Sequence, residues 1–119
     1  MMPDAYVCTS SEVGNVIREY VRVSATAMNT YIGPKTALYL RSLETRLKEN
    51  GIDAAVRIMQ SNGGISTIEQ SAQKPIGLLL SGPAGGVIGG KWTGGHCDTG
   101  NVITIDIGGT SADISVIQD

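Results

Sequence analysis

The sequence predicts an α/β fold, and three observations predict it. Residues 12–50 place apolar side chains at helical spacing, short β-prone runs punctuated by glycine pairs follow, and two alternating segments joined by Gly108-Gly109-Thr110-Ser111 close the chain. At 119 residues with 41% hydrophobic content there is material for one compact domain and too little for two. We therefore read 1–119 as a single domain: a lead-in segment over 1–11, helices over 12–50, then sheet, a connecting helix and a terminal β-hairpin over 51–119. Sixteen glycines, one tryptophan and no phenylalanine imply an aliphatic core and close backbone approach.

Met1-Met2-Pro3-Asp4 reads as an appended start rather than part of the fold, and residues 5–9 as a short first strand ending in the turn or cap signal Ser10-Ser11. In the helical stretch Ile17, Tyr20 and Val21 share one face, and Ile32, Thr36, Leu40, Leu43 and Leu47 form an i, i+4, i+8, i+11, i+15 stripe. Gly33-Pro34 is the expected break, giving two long helices or one broken one, because Pro34 lacks an amide hydrogen. Asn50-Gly51 is a C-terminal stop, and Arg46 and Lys48 suit the negative end of a helix. Residues 54–60 are a strand candidate ending in Ser61-Asn62-Gly63-Gly64, where glycine permits a sharp reversal; loops at such strand ends bind ligands in α/β sheets. Residues 65–73 suggest a short strand or turn and one helical turn. Ser81-Gly82-Pro83 then opens a helix over 83–92 whose small residues recur at three- and four-residue spacing. Each interior glycine costs such a helix ~1 kcal/mol relative to alanine, so packing or a ligand must justify them. Residues 93–100 read as an exposed loop, and 101–106 and 112–117 as the strands of the hairpin.

Composition excludes several function classes. A formal charge of −2 provides no basic footprint for nucleic acid or an anionic membrane. Apolar runs are only a few residues, such as Leu78-Leu79-Leu80, whereas a bilayer span takes about 20; a soluble, cytoplasmic protein is expected. Cys8, Cys97 and the single histidine, His96, cannot complete a four-ligand zinc site or a disulfide scaffold. His96 and Cys97 fall in the expected surface loop, with no catalytic role assigned.

The terminal hairpin carries the chemistry. An aspartate at the end of a strand, then Gly-Gly-Thr, then an aspartate on the returning strand makes a turn whose bare backbone amides can approach phosphate oxygens. Asp106 would face a magnesium ion or its waters, an environment that favours oxygen ligands. Gly108 and Gly109 offer amides, Thr110 and Ser111 hydroxyl donors, and Asp113 a second metal-facing carboxylate or a cap for the turn.

Asn101 to Ile117, NVITIDIGGTSADISVI, resembles the second phosphate hairpin of the actin-like ATPase superfamily, and Ser81 to Gly86 resembles its connecting helix. More narrowly, IREYVRVSATAMNTYIGP (17–34), MQSNGG (59–64), SGPAGGV (81–87) and DIGGTSAD (106–113), in this order, resemble the hydantoinase/oxoprolinase family. That resemblance implies a fragment of an actin-like ATPase (ribonuclease H-like) core with a mixed sheet, a middle piece of a longer chain. It implies ATP and Mg2+ as cofactors, a small cyclic amide as substrate, and a second hydantoinase-type subunit or domain as partner. By the same resemblance Asp106 is the catalytic candidate, Asp106 and Asp113 the metal-facing pair, and Gly108, Gly109, Thr110, Ser111, Ser81, Gly82, Asn62, Gly63 and Gly64 the nucleotide-binding set. Three alternatives stay open: the ATP-binding subunit of an acetone-carboxylase-type enzyme, a non-catalytic nucleotide-regulated module, and a purely structural piece. Packing alone would also account for Gly85, Gly86, Gly89 and Gly90, and Asn62-Gly63-Gly64 could be merely a loop.

Overall fold

In a computed structural model of the chain, residues 5–119 are described; the appended start read at 1–4 lies outside them. The elements are α1 (Ser10–Val13), α2 (Glu19–Glu49), β1 (Ile58–Met59), β2 (Ile65–Ser66), α3 (Ile68–Gln73), a 3-10 turn (Pro75–Leu78), α4 (Ser81–His96), β3 (Val102–Ile107) and β4 (Ala112–Ile117). The chain divides into two compact units, one holding residues up to Ile58 and Ile65–Leu79, the other Met59–Gly64 and Leu80–Asp119. Strands pair as β1 with β2 and β3 with β4 in two separate two-stranded sheets, so the expected mixed sheet is not found among the described residues.

The first unit is built on α2, a continuous helix of 31 residues that runs through Pro34. The predicted break at Gly33-Pro34 does not occur. A proline in a helix interior costs about 3 kcal/mol, but Asn29 and Gly33 before Pro34 or beside it and Leu40 after it are all buried, so packing on both sides holds the helix through the defect. Gly33 has a packing reason: the ring of Tyr6 lies where a β-carbon would stand. Residues 5–9 are accordingly not a strand but an irregular lead-in that delivers this ring. The Tyr6 hydroxyl donates to the carbonyls of Ala72 (2.9 Å) and Gln73 (2.8 Å), and burial pushes its pKa above the ordinary phenol value. Asn29, fully buried, donates to the carbonyl of Gln73 (3.3 Å) and accepts the Ile76 amide (3.1 Å), which fixes α2 against α3 and the following turn.

The helix ends as Asn50-Gly51 predicts. Gly51 is left-handed at φ 78°, its amide donates to the Lys48 carbonyl and the Ile52 amide to that of Leu47, the paired bonds of a Schellman stop. Two short helices carry reciprocal caps, Thr9 with Glu12 on α1 and Thr67 with Gln70 on α3. The predicted stripe from Ile32 to Leu47 is the less exposed face of α2, whereas Ile17 and Tyr20 stand in solvent. The strand expected over 54–60 shrinks to Ile58–Met59. No helix among the described residues is long and apolar enough to cross a membrane.

Candidate functional site

The second unit packs one glycine-rich helix against one hairpin. Helix α4 has 16 residues and extends to His96, so half of the loop expected over 93–100 is helical. It opens after Leu80, held left-handed at φ 61°. Along its hairpin-facing side run Gly86, Gly90 and Gly94 at four-residue spacing. A β-carbon at Gly90 would collide with the Thr104 methyl, and one at Gly94 would stand 2.6 Å from Val102 Cγ2 and 2.8 Å from the Thr99 carbonyl oxygen. Four helical residues rise about 6 Å and two strand residues about 6.7 Å, so successive glycines meet successive same-face residues of β3. The order is reversed, Gly90 on Thr104 and Gly94 on Val102, so α4 runs antiparallel to β3 and its N-terminal end lies beside Asp106.

The contact opens there. Pro83 and Gly86 of α4, Thr104, Ile105 and Asp106 of β3, and Asp113 and Ser115 of β4 line a cleft of about 230 Å³, wholly within this unit. The hairpin register sets Asp106 opposite Asp113 and Thr104 opposite Ser115, which brings two carboxylates and two hydroxyls to one face. Like charges directly opposite on antiparallel strands are unfavourable, a cost that solvent screens at exposed positions. Both aspartates are exposed.

The hairpin tip follows the sequence closely. Gly108 donates to the Ser111 carbonyl (2.9 Å), leaving Gly109 and Thr110 at the reversal. Neither glycine has a positive φ; a β-carbon at Gly108 would make only ordinary contact with the Ser111 oxygen at 3.7 Å, and one at Gly109 would meet nothing within 4 Å. The fold itself therefore does not require glycine at either position. Thr110 and Ser111 are exposed at the tip, and Ser81 and Gly82 form the first turn of α4 next to Pro83.

Asn62, Gly63 and Gly64 are not among the residues lining the cleft. Their turn is accounted for locally: the Asn62 side chain accepts the Gly64 amide (2.9 Å), Gln60 donates to the Gly64 carbonyl (2.8 Å), and Gly63 is left-handed at φ 84° with Ile88 Cδ1 only 2.7 Å from where its β-carbon would be. His96 and Cys97 are exposed at the end of α4, and His96 Nδ1 lies 2.9 Å from the Trp92 carbonyl. What sequence reasoning missed is Gly86 as a cleft wall; packing alone does not account for it, and its offset of four residues from Gly90 and eight from Gly94 sets it on the same face one step nearer Asp106.

No group of three or more His, Cys, Asp or Glu side chains among the described residues could enclose a metal ion. Magnesium at phosphate sites is held by one or two carboxylates with waters and phosphate oxygens completing its shell, so the two-carboxylate set of Asp106 and Asp113 fits it.

Comparison with known proteins matches the hydantoinase/oxoprolinase family over residues 22–119. The chain is 36% identical to the caprolactamase subunit alpha of Pseudomonas jessenii over 115 residues, covering 97% of this chain and 16% of that protein. It is 35% identical to the 5-oxoprolinase of Saccharomyces cerevisiae, covering 97% of this chain and 9% of that protein, and 33% identical to the acetone carboxylase beta subunit of Xanthobacter autotrophicus, covering 93% and 15%. The chain thus spans less than a fifth of the length of these relatives. No solved structure matches it.

Proposed function

From the premise that the chain belongs to the hydantoinase/oxoprolinase family, we propose that it supplies part of the nucleotide phosphate site of a larger ATP-dependent hydrolase acting on cyclic amides. The carrying observation is that the N-terminal end of α4 and the Asp106/Asp113 pair line one cleft. In this reading the core is of the actin-like ATPase type. Caprolactam and 5-oxoproline, the compounds in the names of two relatives, are both cyclic amides, which favours that substrate class over a ketone. The relatives named as subunits extend the proposal to a second subunit as partner.

Bound MgATP would supply a phosphoryl group that activates the amide oxygen and weakens amide resonance. Asp106 and Asp113 would hold the metal's waters by accepting their hydrogens. The Gly109 amide and the Thr110 and Ser111 hydroxyls would donate to phosphate oxygens, the Gly108 amide being engaged by the Ser111 carbonyl, with Ser81 and Gly82 adding the positive end of the α4 dipole. Donors fixed in the backbone need no reorganisation as negative charge moves during phosphoryl transfer.

The test is phosphate release by the full-length protein carrying this chain, with magnesium and ATP, against caprolactam, 5-oxoproline, and acetone with bicarbonate. A cyclic amide should stimulate release severalfold. Stimulation by acetone and bicarbonate alone would transfer the reading to a ketone carboxylase, and no stimulation by any of the three would overturn it.

A further inference from the structure

The glycines on the hairpin-facing side of α4 are not equivalent. Gly90 and Gly94 are filled by Thr104 and Val102 and Thr99, so the fold itself requires them. Gly86 continues the same row, yet a β-carbon there would meet nothing within 4 Å. Space at a helical glycine is unfavourable twice over: alanine is the better helix former, and no neighbour gains from the missing methyl. Gly89, one residue before Gly90, also faces open space, but it does not line the cleft. Gly86 does, facing the wall made by Thr104, Asp106, Asp113 and Ser115.

We propose that Gly86 is a specificity-determining residue whose absent side chain seats the metal-bound phosphate end of the nucleotide against α4. This rests on the nucleotide reading of the cleft given above. The occupant is the phosphate end and not the base, because the opposing wall consists of two carboxylates and two hydroxyls, groups that hold hydrated magnesium and phosphate oxygens, with Ile105 as its one large apolar member. A methyl takes up about the volume of one water molecule, ~30 Å³, a noticeable share of a cleft of about 230 Å³. A leucine, with four such carbons, would take up about half of it.

The experiment uses the full-length protein carrying this chain, with MgATP affinity and thermal midpoint measured for wild type, Gly86→Ala, Gly86→Leu, Gly89→Leu and Asp106→Asn. Gly86→Leu should weaken MgATP binding tenfold or more and Gly86→Ala about threefold, with neither midpoint lowered. Gly89→Leu should leave affinity unchanged. Gly86→Leu binding within tenfold of wild type overturns the inference; if that variant does not fold, Gly86→Ala binding within twofold overturns it. Loss of binding in Gly89→Leu equal to that in Gly86→Leu also overturns it, since the effect would then belong to the helix and not to the cleft. The two readings fail separately: wild type that does not bind MgATP sinks the nucleotide site itself, whereas wild type that binds, Asp106→Asn that does not, and Gly86→Leu that still does sinks only the role of Gly86.

Discussion

The two units of the chain use the same kinds of residue to opposite ends. In the first, Asn29 is hydrogen-bonded and fully buried, Gly33 is filled by the Tyr6 ring, and Thr9 and Thr67 cap their helices, with Arg22 Nε the exception, buried without a hydrogen-bond partner among the described residues. In the second, several have no such partner among the described residues: Asp106 and Asp113 oppose each other on one face, and Gly86, Gly108 and Gly109 lack close packing reasons. A residue type that breaks a local rule and gains nothing within its own unit is the signature of a site built for something else. Under the proposed function, the difference separates residues that maintain the structure from residues that would contact a ligand.

The largest effect that could break this contrast is at Asp106. In the full-length protein, Asp106→Asn should reduce magnesium-dependent ATP turnover about a hundredfold or more, the ~3 kcal/mol scale of one lost electrostatic contact at a transferring phosphoryl. Its thermal midpoint should hardly move, because the side chain is exposed. Near wild-type turnover would show that Asp106 is as inert as a surface carboxylate.

Asn29→Ala should do the reverse. It strands the half-buried Ile76 amide and leaves a void, at a cost of roughly 2–3 kcal/mol, read as a lower denaturation midpoint, while MgATP affinity stays within twofold. A change of affinity without a change of stability would erase the distinction between the units.

Gly90→Ala sharpens the contrast inside the second unit. The new methyl meets the Thr104 methyl, an overpacking expected to cost about 1–3 kcal/mol, and Thr104→Ala in the same chain should recover part of that loss. A double variant no more stable than Gly90→Ala alone would mean that the helix and hairpin are not packed through this pair.

The smallest effect is one of pH. The Glu12 carboxylate accepts the Thr9 amide at 2.8 Å and the Thr9 hydroxyl at 2.8 Å, bonds that hold its pKa below the ordinary carboxylate value. Because the folded value is the lower one, the support this cap gives α1 is complete above the ordinary carboxylate value and is lost as pH falls through the depressed one. A nuclear magnetic resonance titration of Glu12 should give a midpoint below that of an unstructured glutamate, and Thr9→Ala should raise it; an unshifted midpoint in wild type would remove the cap.

Much of this was legible in the chain. Asn50-Gly51 announced its stop because a left-handed glycine after a helix has few other uses, and the hairpin over 101–117 announced itself through alternation and a glycine turn. Pro34 misled, because the contacts that hold α2 through it come from Tyr6, α3 and the turn after it, partners no local window contains. Residues 5–9 misled for the same reason: Tyr6 is β-prone, yet it serves by reaching the carbonyls of Ala72 and Gln73. The mixed sheet was an expectation from resemblance, and β1 and β2 are too short to bear it out. At the site, the spacing of Asp106, Gly108 and Gly109 was visible, but the separation of Gly86 from Gly90 required knowing that Thr104 fills one and nothing fills the other.

The most direct test of the central claim is hydrogen–deuterium exchange on the full-length protein with and without MgATP, resolved to peptides of this chain. The account predicts slowed exchange over 81–86 and 106–113 and no change over 24–33, where Asn29 and Gly33 are already satisfied. Protection confined to the helical unit, or absent from both segments at saturating MgATP, would contradict it.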